Sequence, residues 1–360
     1  MSGVFQYPSP LGEAGQGGRR GFRVPVQEAE ADGRPIEHSS NRICAMFCSH
    51  RIVCVMSGDT DWPAIPYAAW KSTCETLHLW TQITGKIRLA LTPWLNHSWH
   101  VSLYVTSRGL STSVIPYKDK VFEIRFDFID QTLDIDLSTG QRTRIQLMRQ
   151  PVCDFYAAVM KSLADLGIRV HISERPCEIP DAILFSDDHI HASYDPDAAQ
   201  RFWRALVQVD RVFKKFRAGF IGKASPIHFF WGSFDLAVTR FSGRRAPAFT
   251  SKVPGLSTAV MAEAYSHEVS SAGFWPGGGG IDYASFYSYA YPTPDGFKDA
   301  PLVPKSAFFD EKLGEFLLPY DEVRNAADPE KSLLLFLQST YEAAAETAHW
   351  DRAVLETRRV

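Results

Sequence analysis

Residues 120–140 read KVFEIRFDFIDQTLDIDLSTG. Phe122, Ile124, Phe126 and Phe128 alternate with Glu123, Arg125 and Asp127, and Leu133, Ile135 and Leu137 alternate with aspartates before a Ser138-Thr139-Gly140 turn. A period of two sends one set of side chains to each face of a strand, so this stretch reads as half-buried antiparallel strands. Upstream, Trp70, Leu77, Trp80 and Ile87 form a helical stripe over Ala68–Ile87, and Val101–Val105 is a further alternating run. Downstream, Pro151 opens a helix through Leu166 with Phe155, Val159 and Leu163 on one face, and Gly167 stands where a C-terminal cap belongs.

The same order recurs in the second half. Asp195-Pro196 starts a helix with Phe202, Leu206, Val209, Phe213 and Phe216 on one face. Strand-like runs follow at Ile227–Asp235, Leu236–Phe241, Ala262–Phe274 and Ala284–Ala290, and Asp328-Pro329-Glu330 starts a final helix. This predicts an α+β fold with two antiparallel sheets of about four strands, each covered by helices. A saddle of the TATA-binding-protein kind or another helix-on-curved-sheet arrangement fits, with a barrel around a central helix as the competitor. Leu79-Trp80-Thr81-Gln82-Ile83 laid on Leu206-Val207-Gln208-Val209 suggests internal duplication, with halves at 59–175 and 176–360. Residues 1–58 hold 8 of the 24 glycines and read as a disordered leader, with Met56 as an alternative start.

Of the 360 residues, 45% are hydrophobic and 22% charged, enough apolar material for a sizeable core. A formal charge of −3 supplies no basic field for nucleic acid and no polybasic membrane anchor. No apolar run reaches the roughly 20 residues that span a bilayer, and no secretory h-region opens the chain, so a cytoplasmic protein is expected. Six cysteines are too few for a disulfide scaffold at this length.

Chemistry-bearing residues gather in four places. Glu75, His78 and Gln82 share a helix face. Asn96-His97-Ser98-Trp99-His100 enters a strand. The run from His228 through Trp231, Gly232 and Asp235 to Arg240 and Arg244 combines an imidazole, a carboxylate and two guanidinium groups. Glu263, Tyr265 and His267, read as a strand, share a face beside Glu268, ahead of Trp275 and the Gly277–Gly280 run. Paired imidazole and carboxylate suit acid–base work, so His228, His267, Glu268, Glu263 and Asp235 are candidate catalytic groups. Arg240 and Arg244 would fork onto an anionic substrate, with Trp231, Trp275, His78 and Gln82 lining its site. His267 is expected to be buried beside a pocket, within reach of a carboxylate or a second imidazole. Asp187-Asp188-His189-Ile190-His191 offers metal-ligand types, or simply loop caps. No nucleophile elbow, zincin, dinucleotide or kinase motif is present.

Several strings carry a resemblance. Trp62-Pro63 with Tyr67 and Trp70, Thr76-Leu77-His78-Leu79-Trp80-Thr81-Gln82, Asn96-His97-Ser98-Trp99-His100, His228-Phe229-Phe230-Trp231-Gly232-Ser233-Phe234-Asp235, Thr239-Arg240-Phe241-Ser242-Gly243-Arg244, Tyr265-Ser266-His267-Glu268 and Gly273-Phe274-Trp275-Pro276-Gly277 resemble a bacterial family described as domain of unknown function 5996, over about residues 59–357. The resemblance implies a full-length module and brings no activity or cofactor. The residues themselves suggest a small-molecule enzyme with a His/carboxylate site in the groove between halves, with or without a metal. The other reading is a non-catalytic protein holding an apolar ligand or haem in an aromatic cavity.

Overall fold

The computed structural model describes residues 61–249 and 256–357, so the leader and its alternative start lie outside the described residues. Helix α1 spans Tyr67–Leu91. It leads into strands β1 Tyr104–Val105, β2 Gly109–Ser111, β3 Ile115–Tyr117, β4 Lys120–Asp127, β5 Thr132–Leu137 and β6 Arg142–Gln146, and then α2 Val152–Asp165. Next come α3 Pro196–Ala218, β7 His228–Phe230, β8 Asp235–Arg245, α4 Thr258–Ala264, β9 His267–Trp275 and β10 Ser285–Tyr291. The chain closes with β11 Phe308–Asp310, β12 Glu315–Pro319, α5 Tyr320–Arg324, α6 Pro329–Thr347 and α7 Arg352–Leu355.

Among the described residues these strands make two antiparallel sheets of six. The first runs β1-β2-β4-β5-β6 with β3 also on β4; the second runs β11-β12-β10-β9-β8-β7. Their inner edges touch where Leu103 and Phe229 exchange backbone hydrogen bonds of 2.8 and 2.7 Å. The class is α+β; helices flank each set of six strands, and α4 interrupts the second set. The two strand orders also differ, so the architecture does not show the duplication expected from the sequence.

Alternation explains the first sheet. Phe122, Ile124, Phe126, Leu133 and Ile135 are buried, and the opposite face carries a cross-strand ladder. Arg125 faces Asp134, Asp134 faces Arg144 and Asp136 faces Arg142 in register, with Arg125–Asp134 at 3.2 Å and Arg144–Asp134 at 3.1 Å. Such a face is closed by its own charges. Trp80 joins α1 to α2, stacked 4.4 Å from Phe155. Helix α3 starts as its sequence requires: Asp195 accepts from the Asp197 and Ala198 amides, with Pro196 in the first turn.

Two runs differ from their sequence reading. The run read as a strand from Ala262 starts as one only at His267: Ala262–Ala264 close the helix Thr258–Ala264, which Ser257 caps by accepting from Val260 N and in which Ala259, Met261 and Ala262 are good or tolerable helix formers. Glu263 is therefore on a helix and does not share a strand face with His267. Trp231–Phe234 is the turn between β7 and β8 rather than strand.

Gly85, inside α1, is the close approach that lets Trp231 dock. A Cβ there would fall 2.2 Å from the indole, and Trp231 Nε1 donates to Val101 O at 2.7 Å. In an open helix Gly→Ala gains about 1 kcal/mol; here G85A is expected to cost about 1–3 kcal/mol through overpacking. Urea denaturation with Trp fluorescence reads it, and a G85A protein as stable as wild type would contradict this packing.

Candidate functional site

Alternation along β8 sends Asp235, Ala237, Thr239 and Phe241 to one face and Leu236, Val238 and Arg240 to the face packed on α3 and α6. The first face lines a cavity of about 840 Å³, which also takes residues from α1, the 94–101 segment, the 176–183 loop, α4, β9, β10 and β12. Residues from both sides of position 175 contribute. Five carboxylates line it (Glu75, Glu178, Asp188, Asp235 and Glu315), and the described lining includes no lysine or arginine.

Asp235 is the centre of this arrangement. It is buried and accepts from Ser233 Oγ and from Tyr287 OH. Tyr287 reaches it from β10 by lying across β9 over Gly273, where a Cβ would stand 2.3 Å from the phenol ring. Tyr289 OH lies 3.1 Å from Tyr265 OH, and Thr239 Oγ1 lies 2.9 Å from Ser271 Oγ. Burial pushes the Asp235 carboxyl up, against the two hydroxyl bonds that favour its charge. Glu178 and Glu315 are each pushed up to about 7, by burial first and by the Asp235 charge second. Three carboxylates thus share one low-dielectric region without a countercharge.

Glu178 is held there by a strut. Gln82 donates from Nε2 to Cys177 O and accepts from Cys177 N, both at 2.9 Å. The next residue, Glu178, adopts φ +60°, and its carboxylate sits where a Gly232 side chain would begin, 2.0 Å from the Cβ position. Phe234, on the other side of that turn, has φ +59°. Left-handed backbone at two non-glycine residues is costly and marks a place the surroundings over-determine. His78 belongs to the same strut, with Nε2 2.9 Å from Gly232 O and 3.1 Å from Gln82 Nε2. Burial lowers His78 to about 4.

The other sequence candidates are scattered. His228, Trp231 and Trp275 line the cavity. Arg240 is on the opposite face, its guanidinium 3.4 Å over the Phe216 ring and 4.3 Å over Tyr341, because an even position on β8 cannot share a face with Asp235. Arg244 is taken by Glu268, at 2.6 Å, and by Ala348 O. Glu263 accepts from Trp94 Nε1 at 2.7 Å. His267 is half-buried outside the lining; it meets Ser266 Oγ at 3.0 Å, and its nearest ring is His97, edge-on at 6.5 Å. It has neither the carboxylate nor the hydrogen-bonded imidazole expected of it. His97 is occupied by Ala264 O at 3.2 Å and by Lys223, which donates to Nε2 at 2.6 Å. In the 187–191 patch Asp188 accepts from His191 Nδ1 at 2.8 Å and from two backbone amides, a loop-capping role. Among the described residues no group of three or more His, Cys, Asp or Glu is placed to hold a metal ion.

Glu178, Glu315, Tyr287 and Tyr289 escaped the sequence reading. The SFYSYAY alternation of β10 was the available signal for the tyrosines, since it puts Tyr287, Tyr289 and Tyr291 on one face. Glu178 gave none, being an isolated acid in a Pro-rich loop.

A family model described as a family of unknown function, DUF5996, matches residues 62–357, most of the chain, and the chain belongs to that family. No curated protein and no solved structure matches it. Among the described residues no helix is long and apolar enough to cross a membrane.

Proposed function

We propose that this member of the DUF5996 family binds an organic cation, a small amine with an apolar body, in the cavity over the second sheet. Asp235, Glu178 and Glu315 are its countercharges. The observation that carries this reading is the lining itself: five carboxylates and no lysine or arginine among aromatic walls. A positive charge placed among the three inner carboxylates would offset both the repulsion and the desolvation that raise Glu178 and Glu315. Trp94, Trp99 and Trp275 supply faces for the apolar body and for cation–π contact. This reverses the sign of the ligand expected from Arg240 and Arg244, neither of which lines the cavity. It also disfavours haem, whose propionates would enter a field of their own charge. Carboxylates titrating near neutrality can exchange a proton with the bound amine, so acid–base catalysis on such a ligand falls to them rather than to His267.

Calorimetric titration of the full chain with pentylamine tests the reading. Binding should strengthen from pH 6 to pH 8 as the carboxylates ionise. D235N should weaken it about tenfold or more, as expected for loss of a charge-assisted contact worth about 1.5–3 kcal/mol. Pentanoate binding as tightly as pentylamine would overturn it.

A further inference from the structure

His228, a group of different chemistry, is also among the residues around this cavity. His228 is 1% exposed and lies on β7. Its Nδ1 is buried without a hydrogen-bond partner in the structure. Phe230 lies 4.4 Å from its ring and Trp99 6.4 Å. A buried imidazole nitrogen left unmatched is costly, and native structures keep such atoms where a ligand or other partner completes them. Burial and the Arg88 charge lower His228 to about 3, so the ring is neutral and offers one uncharged donor or acceptor at that atom.

Its distance from the carboxylates follows from the register. His228 pairs with Ala237, so Asp235, two residues along β8, is its diagonal neighbour. Diagonal positions stand roughly 7–8 Å apart across a sheet. A charged station and a neutral one are therefore set several ångströms apart on one wall, with apolar surface around the neutral one.

We infer that the ligand is an amino alcohol: a single ammonium at Asp235, an apolar spacer, and a hydroxyl at His228 Nδ1. This rests on the organic-cation reading above. A hydroxyl both donates and accepts, so it satisfies Nδ1 in either tautomer. A second ammonium would lose its water among aromatic rings beside a neutral imidazole, with Arg88 adding repulsion. A carboxylate at that end would enter a lining of five acids. The neutral station thus selects against diamines and amino acids.

The test is calorimetry on the full chain with pentylamine, aminopentanol, pentanediamine and aminopentanoate, the two polar groups at opposite ends of each chain. Aminopentanol should bind about five- to tenfold tighter than pentylamine, the gain of one buried hydrogen bond, and tighter than the other two. In H228F that ratio should fall to about one. Should H228F fail to fold, the imidazole ¹⁵N resonance of wild-type His228 should move with aminopentanol and stay with pentylamine. A wild-type ratio near one, a ratio that survives H228F, or an unmoved resonance overturns the amino alcohol and leaves the cation reading standing. Pentylamine failing to bind the wild type at all sinks the cation reading instead.

Discussion

Replacing Arg240 with alanine is expected to cost about 3–5 kcal/mol of stability, while replacing it with methionine should cost about 1 kcal/mol or less. Arg240 is 2% exposed on β8, against α3 and α6. Its guanidinium lies 3.4 Å over Phe216, 4.3 Å over Tyr341 and 5.1 Å over Phe220. Nη2 donates to Phe216 O, but Nε has no partner and no carboxylate of the described residues pairs with the group. Burial lowers it to about 10, the Tyr341 and Glu356 charges only partly resisting. The charge thus loses its water for ring faces and one carbonyl, a near balance in which shape matters more than sign. Alanine empties the slot; methionine refills most of it without a charge to desolvate. Urea denaturation of the two variants separates these effects. Equal losses in R240M and R240A would show that the cation itself is the stabilising element.

Arg240 also shows where sequence reasoning reached and where it stopped. Once β8 is a strand, parity alone puts Arg240 with Val238 and opposite Asp235, so its exclusion from the cavity was legible. The first sheet was equally legible, because Phe122–Phe128 and Leu133–Leu137 carry an unbroken period of two. Helix α3 was marked at its start by Asp195-Pro196 and along its length by its apolar face. The start of the run read as a strand from Ala262 was not, since the short 258–264 segment, small and apolar apart from Thr258 and Glu263, suits either period and only the Ser257 cap settles it. The cavity was half visible. His228, Trp231 and Asp235 stand in one motif-like string, whereas Glu178 and Glu315 arrive from a loop and a short strand fifty or more residues away on either side. Convergence of that kind is tertiary, and nothing local in sequence encodes it.

The double variant E178Q/E315Q is expected to match wild type near pH 4.5 and to exceed it by on the order of 2 kcal/mol at pH 8. Both glutamates have folded values near 7 against 4.5 for the free side chain. Between those values the folded protein binds more protons than the unfolded chain, so their contribution to stability falls as pH rises and is fully lost above about 7. The sum stays well below the full shift because water enters the cavity and the two groups share the Asp235 field. His78 and His228 act with the opposite sign. Their folded values, about 4 and about 3, lie below the ordinary 6.5, so stability rises with pH up to about 6.5. The wild-type curve alone therefore mixes two slopes, and the difference between variant and wild type isolates the carboxylates. Asp127 and Glu356, lowered chiefly by Arg108 and Arg352 against their burial, lose their contribution only in acid and cancel in that difference. A protein that keeps two such acids at a cost in stability gains something from their charge, which is the trade expected of a binding site. Saturating pentylamine should accordingly narrow the gap at pH 8, stabilising wild type more than the variant, which keeps only Asp235 of the three countercharges. A difference curve that is flat from pH 4.5 to 8, with or without amine, would mean that the glutamates are ordinary solvated acids and that the cavity has no charge to offer a cation.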